Sequence, residues 1–327
     1  MSSCSYCSNV RVWDLQADPP ASSIIRLGSY NTLRSGGIYD ECIVSVAVHA
    51  DGRHILLGGL RSLTKHDHRS FLGVVDLEAR QWVAGEVSEM RWDAMAKDHS
   101  ITSIAVVPGS GGKQLVVANI GLAHVKVWEL DMGCGASVGA KPTLVCKQHI
   151  PEQGVQVVAA VPGTQSVLVG SAYLELWSDL ESNQPSTTWS NRLNDGIFEI
   201  YEVAVCGQGR LAATLMYRTS EVVVWDLQTG TEVARFSQSY ELFRIAISVD
   251  GRYLVGSGSN SLPGTLHIWD LQKFEHIASI EAGERLIACL AFSPDGQVLA
   301  TADGKGLVRL HKWKEMLEEG GHQAPWL

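Results

Sequence analysis

Val222-Val223-Val224-Trp225-Asp226-Leu227-Gln228 returns as Leu266-His267-Ile268-Trp269-Asp270-Leu271-Gln272 and as Val10-Arg11-Val12-Trp13-Asp14-Leu15-Gln16. Weaker copies are Val125-Lys126-Val127-Trp128-Glu129-Leu130, Leu174-Glu175-Leu176-Trp177, Gly73-Val74-Val75-Asp76-Leu77 and Val308-Arg309-Leu310-His311. The equivalent positions are 13, 75, 128, 177, 225, 269 and 311. A unit recurring roughly every 40–50 residues signals a repeat architecture, in which each copy is one supersecondary element that must stack on its neighbours.

Upstream of each copy lies a strand built around one alanine: Val46-Ala47-Val48, Ile104-Ala105-Val106, Val158-Ala159-Ala160, Val203-Ala204-Val205, Ile245-Ala246-Ile247 and Leu290-Ala291-Phe292. Each runs into a turn at Asp51-Gly52, Gly109-Ser110, Gly163-Thr164, Gln208-Gly209, Asp250-Gly251 or Asp295-Gly296. An apolar alternation ending in Asp-Gly predicts a hairpin, because glycine supplies the positive φ that such turns need. A second strand follows each turn, the Trp-bearing strand is third, and a shorter fourth strand closes the unit. The result is an all-β chain of four-stranded antiparallel units.

This joint recurrence of alanine strand, Asp-Gly turn and Trp-Asp strand resembles the WD-repeat β-propeller family, over nearly the whole chain. Units are expected at about 1–28, 42–86, 101–148, 155–191, 200–236, 243–280 and 287–311, with 312–327 as a C-terminal helix and tail of a single domain spanning 1–327. Seven third strands imply seven blades, the first of them incomplete and lacking roughly 40 residues upstream of Met1 by the family period. The alternative is six blades plus an extra N-terminal strand, with Ile24–Leu27 pairing against Val308–Leu310. Trp13, Trp128, Trp177, Trp225 and Trp269 hold the repeat's aromatic position. The family's blade-internal polar network is eroded: Asp303 sits in the right turn, with Thr301 as its expected hydroxyl partner, so packing between blades should carry most of the stability.

Composition restricts function. The chain has 327 residues, 45% hydrophobic and 19% charged, an ordinary globular mix. A net charge of −9 argues against a nucleic-acid partner or an anionic membrane, both of which need a basic footprint. No apolar run reaches the ~18–20 residues of a membrane span. Seven cysteines in no framework spacing, and no Asn-x-Ser/Thr acceptor, point to a reducing cytoplasmic or nuclear setting.

The chemical motifs are weak. Cys4-x-x-Cys7 is half of a zinc knuckle with no second half at a matching spacing. His66-Asp67-His68 falls in a polar loop between second and third strands. Gly109-Ser110-Gly111-Gly112-Lys113 lacks the first glycine, the Ser/Thr and the following helix of a phosphate loop, and reads as a hairpin tip. No nucleophile elbow or zinc-protease motif appears. No metal, cofactor or catalytic residue is expected.

What remains is a binding platform for other proteins or peptides, a non-catalytic scaffold within a multiprotein complex. The resemblance places partners on the rim formed by the fourth-to-first and second-to-third loops. There Tyr39, Arg91, Trp92, Phe198, Tyr217, Arg218, Tyr240, Phe243 and Arg285 supply the aromatic and guanidinium side chains that dominate binding hot spots. A substrate receptor of a ubiquitin ligase is the alternative, weakened because Gln16, Gln228 and Gln272 stand where one receptor class carries Arg. A propeller enzyme or nucleic-acid binder is the third class.

Overall fold

The computed structural model describes residues 9–14, 21–26, 41–64, 67–87, 100–120, 124–133, 142–150, 154–180, 184–190, 192–193, 196–197, 199–216, 221–237, 241–258 and 264–320. The chain forms two compact units, residues 3–158 and 159–327.

In the first unit, β1 (Asn9–Asp14) pairs antiparallel with β2 (Ala21–Arg26). A four-stranded sheet follows: β3 (Glu41–Val48), β4 (His54–Thr64), β5 (Asp67–Asp76) and β6 (Gln81–Val87). A second is built from β7 (Ile101–Pro108), β8 (Gln114–Ile120), β9 (His124–Asp131) and β10 (Thr143–Ile150). The division between units falls within β11 (Val157–Ala160), which heads a sheet with β12 (Val167–Gly170), β13 (Tyr173–Trp177) and β14 (Thr187–Ser190). After it comes a small hairpin that the repeat pattern does not signal, β15 (Arg192–Leu193) with β16 (Gly196–Ile197).

Two further four-stranded sheets are β17 (Ile200–Val205), β18 (Leu211–Met216), β19 (Glu221–Asp226), β20 (Thr231–Ser237), and β21 (Leu242–Ile247), β22 (Tyr253–Gly258), β23 (Gly264–Asp270), β24 (Glu275–Gly283). The last sheet has three strands, β25 (Ile287–Phe292), β26 (Val298–Asp303) and β27 (Val308–Lys312), followed by α1 (Trp313–Gly320).

Six sheets of three or four strands plus an N-terminal pair match the six-blade alternative in number. Its expected pairing is different, however: β2 joins β1 through Ile25 opposite Val10, while β27 joins β26. The third-strand positions at 13, 75, 128, 177, 225, 269 and 311 all fall in strands. The hairpin glycines behave as expected, with φ of +69° at Gly52, +73° at Gly251 and +69° at Gly296. Gly109 to Lys113 is a hairpin tip entering β8 rather than a helix. His66-Asp67-His68 needs correction: Asp67 and His68 belong to β5, opposite Thr64 and Ser62, so the loop is shorter than the polarity of the segment suggests.

Burial explains why the repeat reads as an apolar run rather than an alternation. Val222, Val223 and Val224 on the third strand of their sheet are each 0% exposed, so both faces of β19 are covered. β20, the fourth strand of the same sheet, is largely exposed. The cluster joining β17–β20 to β21–β24 includes Val222, Val224, Phe236, Leu242, Leu254 and Trp269. α1 closes the last sheet by burying Trp313 and Met316, with Trp313 edge-on to Phe292 at 4.9 Å and to Tyr253 at 5.7 Å. This is the capping role that suits a helix standing in place of a fourth strand.

Candidate functional site

The Asp that follows the repeat's Trp is a buried anchor. Asp226 Oδ1 accepts the N–H groups of Gln228 and Thr229, each at 2.9 Å, fixing the turn into β20. Asp76 and Asp270 do the same for Glu78 and Ala79, and for Gln272 and Lys273. The other carboxylate oxygen takes an arginine from the preceding hairpin: Arg53 to Asp76 at 2.6 Å, Arg210 to Asp226 at 3.2 Å, Arg252 to Asp270 at 3.3 Å. Lys113 and Glu129 make the equivalent pair at 2.6 Å. First-to-second and third-to-fourth turns share one end of an antiparallel sheet, so these four sheets are pinned at that end.

The opposite end carries the partner-binding expectation. Tyr39, Arg91, Trp92, Phe198, Tyr217, Arg218 and Tyr240 lie outside the described residues, while Phe243 and Arg285 lie within them. Phe243 is half-buried near the start of β21 and Arg285 is exposed in the loop before β25. That loop is tightly held. A Cβ added at Gly264 would collide with the Arg285 carbonyl oxygen, and Gly304 N–H donates to the Leu286 carbonyl at 3.0 Å. The neighbouring turn presents Lys305, also exposed.

Between these positions is a polar cluster that the sequence reading did not find. Arg244 Nε donates to the Ala288 carbonyl at 2.9 Å, bridging β21 and β25, and Nη1 donates to the Tyr201 hydroxyl at 2.9 Å. Its guanidinium lies 5.3 Å from the Tyr201 ring centroid. Glu202 Oε2 accepts the Ile245 N–H at 2.9 Å. Desolvation raises the Glu202 carboxyl to about 7, overcoming the opposing pull of Arg244 and of the Ile245 bond. Three first strands are thus tied together by one arginine and one acid.

A carboxyl raised in the folded state favours folding at low pH and loses that contribution as pH climbs through the folded value. The Glu202 contribution should therefore be lost between about pH 4.5 and pH 7, against an opposite contribution from the lowered His267. Glu202→Gln keeps an acceptor for Ile245 and removes the charge, so its urea midpoint should fall less over this range. An unchanged pH slope in the variant would show that Glu202 is not the group responsible.

The polar network inside the blades also departs from expectation. Thr301 Oγ1 is bonded to His311 Nε2 at 3.0 Å, as Thr214 Oγ1 accepts from Trp225 Nε1 at 3.1 Å. His311 occupies the Trp position and takes the hydroxyl expected for Asp303. Asp303, buried, instead accepts the N–H groups of Lys305 and Leu307, both at 3.0 Å, and pairs with Arg309 at 3.3 Å. Trp128, Trp177, Trp225 and Trp269 are all buried; Trp13 lies in β1.

In a chain of the crystal structure of the Mitotic Checkpoint Complex, a similar fold covers 93% of this chain and 84% of that one, with TM-score 0.67 and 15% identity. The crystal structure of Chaetomium thermophilum Sqt1 is similar over 84% of this chain and 70% of that one, with TM-score 0.63 and 17% identity. The chain has the β-propeller fold. Residues 211–311 of the propeller match the family described as Eukaryotic translation initiation factor eIF2A. A rice protein (Oryza sativa subsp. japonica) named U3 snoRNP-associated protein-like YAOH is 37% identical over 91 residues, 22% of the propeller chain. That match spans 17% of the length of the curated relative. Among the described residues, no helix of the propeller is long and apolar enough to cross a membrane.

Proposed function

We propose that this propeller is a non-catalytic interaction scaffold that binds other proteins or peptides through one rim. The observation carrying the reading is the locked loop that holds Arg285 in solvent beside Lys305, with Phe243 at the start of a neighbouring first strand. A guanidinium on a pre-ordered loop loses little conformational freedom on binding, so more of its interaction energy appears as affinity. The fold supports the same reading, since the structural neighbours include a chain of a multiprotein complex. Names in the sequence matches refer to a translation initiation factor and a snoRNP-associated protein, which favours a subunit of a larger nuclear or cytoplasmic assembly.

Affinity capture with the wild-type chain and with an Arg91/Trp92/Phe243/Arg285→Ala variant tests this. Loss of most partners is expected, and Gly264→Ala should weaken capture by displacing the Arg285 backbone. Arg210→Ala, at the opposite end of its sheet, should leave partners in place. An unchanged partner set in the quadruple variant would sink the rim reading.

A further inference from the structure

Four hairpin turns among the described residues share one backbone, Cys206–Leu211 among them. In His49–His54, Ser248–Tyr253 and Ser293–Val298 the first residue's N–H donates to the last residue's carbonyl at 2.9, 2.8 and 2.9 Å. The glycine N–H donates to the first residue's carbonyl at 3.0, 2.9 and 2.9 Å. In two of them a serine hydroxyl donates to the turn Asp at 2.5 Å, Ser248 to Asp250 and Ser293 to Asp295. The same backbone also forms in Cys206–Leu211, with Cys206 and Gln208 at those two positions, so the turn itself needs no imidazole. The turn between β3 and β4 carries histidine at the serine position and again at the position of Tyr253 and Val298.

We propose that His49, Asp51 and His54 form a binding site for a divalent transition-metal ion of the zinc class. His49 Nδ1 lies 3.0 Å from Asp51 Oδ1, and His54 Nδ1 lies 2.7 Å from Asp51 Oδ2. The three ligand atoms are all within 4.8 Å of one another. Zinc bonds of roughly 2.0–2.2 Å place tetrahedral ligands about 3.3 Å apart, so small side-chain rotations close the site. Two imidazoles and a carboxylate favour zinc and its neighbours over calcium or magnesium, which take oxygen ligands. A fourth position is left for water.

Two further observations concern the histidines themselves. Asp76 Oδ2 stands 3.7 Å from His54 Nε2, the nitrogen that would face away from the metal. That distance is too long for a hydrogen bond and the oxygen is already held by Arg53, so the carboxylate acts on the imidazole through its charge alone. His49 is 8% exposed and its Nε2 has no hydrogen-bond partner among the described residues. A buried ring nitrogen left unpaired is a cost that serine at this position would avoid. A metal on Nδ1 leaves Nε2 unpaired, so the observation marks His49 as surplus to the turn and no more. Asp51 N–H meets His49 Nδ1 at a long 3.2 Å on an exposed residue, so water can replace that bond when the metal takes the lone pair.

The full chain, stripped with a chelator, is titrated with Zn2+ followed by calorimetry and with Co2+ followed by its visible spectrum. One equivalent attributable to this site, a tetrahedral Co2+ spectrum and a Zn2+-dependent rise in Tm are expected. His49→Ser/His54→Tyr installs the side chains the sibling turn carries, so the turn should fold. Its affinity should drop by more than the roughly 10–100-fold caused by losing a supporting partner. Cys4→Ser/Cys7→Ser should keep the binding. No Zn2+ uptake by the wild-type chain at micromolar metal, undiminished binding in the double-histidine variant, or loss of binding in the cysteine variant would each overturn the proposal.

Discussion

Replacing Trp269 by alanine is expected to cost about 3–5 kcal/mol, the range for removing a large aromatic from a packed core. Trp269 is 0% exposed and lies 5.8 Å from the Phe236 ring of the adjacent sheet, so the cavity would open between two sheets rather than at a surface. A loss below about 1 kcal/mol, measured by urea denaturation, would contradict this account of the core. A companion pair separates the indole's area from its N–H. Trp225 Nε1 donates to Thr214, whereas Trp269 Nε1 has no partner among the described residues and its ring lies against Gly256. Removing a buried donor that is unpaired relieves a desolvation cost, while removing a paired one strands the acceptor. Trp269→Phe should therefore be the milder of the two phenylalanine substitutions.

The second large effect is expected at Asp270, where alanine should cost about 2–4 kcal/mol because hydrogen bonds to a charged group contribute about 1.5–3 kcal/mol each. Asp270 is 2% exposed, accepts two turn N–H groups and faces Arg252. Arg252→Ala should cost under about 1 kcal/mol, since the guanidinium side is partly exposed and screened. If the two losses were equal, the ion pair and not the turn anchor would be the stabilising element.

The same anchors make a pH prediction of opposite sign to that of Glu202. Hydrogen bonding from Arg53 leads in holding Asp76 near 2, against the effect of burial. The Thr229 backbone bond leads for Asp226. At Asp270 and Asp303 burial is the largest influence and raises the carboxyl, but the turn N–H groups and the arginine together lower it. Carboxyls depressed on folding stabilise above their ordinary value near 3.9 and lose that contribution as pH falls through the folded value. Burial also lowers His267, to about 4, and His276 and His311, which adds stability as pH rises toward 6.5 and opposes the Glu202 effect.

The Trp-Asp line made the strand order legible because it recurs with its alanine strand and glycine turn. Five of the six predicted hairpins place the named glycine at positive φ, and in the sixth Gly111 and Gly112, two and three residues beyond Gly109, take that role. The arginine partners were not legible. Gly52-Arg53, Gly209-Arg210 and Gly251-Arg252 recur in the sequence, but their target Asp lies 16 to 23 residues downstream. Only the shared end of an antiparallel sheet brings the two turns together. Thr301 was assigned to Asp303 because the family network pairs a hydroxyl with that turn. With histidine at position 311, the ring nitrogen takes the hydroxyl instead. His49 and His54 carry no signal in the sequence because Asp51-Gly52 reads completely as a turn, and only the structural match to Ser248 and Tyr253 makes the imidazoles surplus to it.

The fully covered third strand and the largely exposed fourth strand have a kinetic consequence. Opening β20 exposes little apolar surface, whereas opening β19 uncovers a run of valines with no solvent face. Local opening free energy follows the apolar burial that must be given up. Amide hydrogens should therefore exchange along a gradient across each sheet, with the outer strand fraying while its inner neighbours stay closed. A partner that borrowed an edge would meet the part of the blade that yields first.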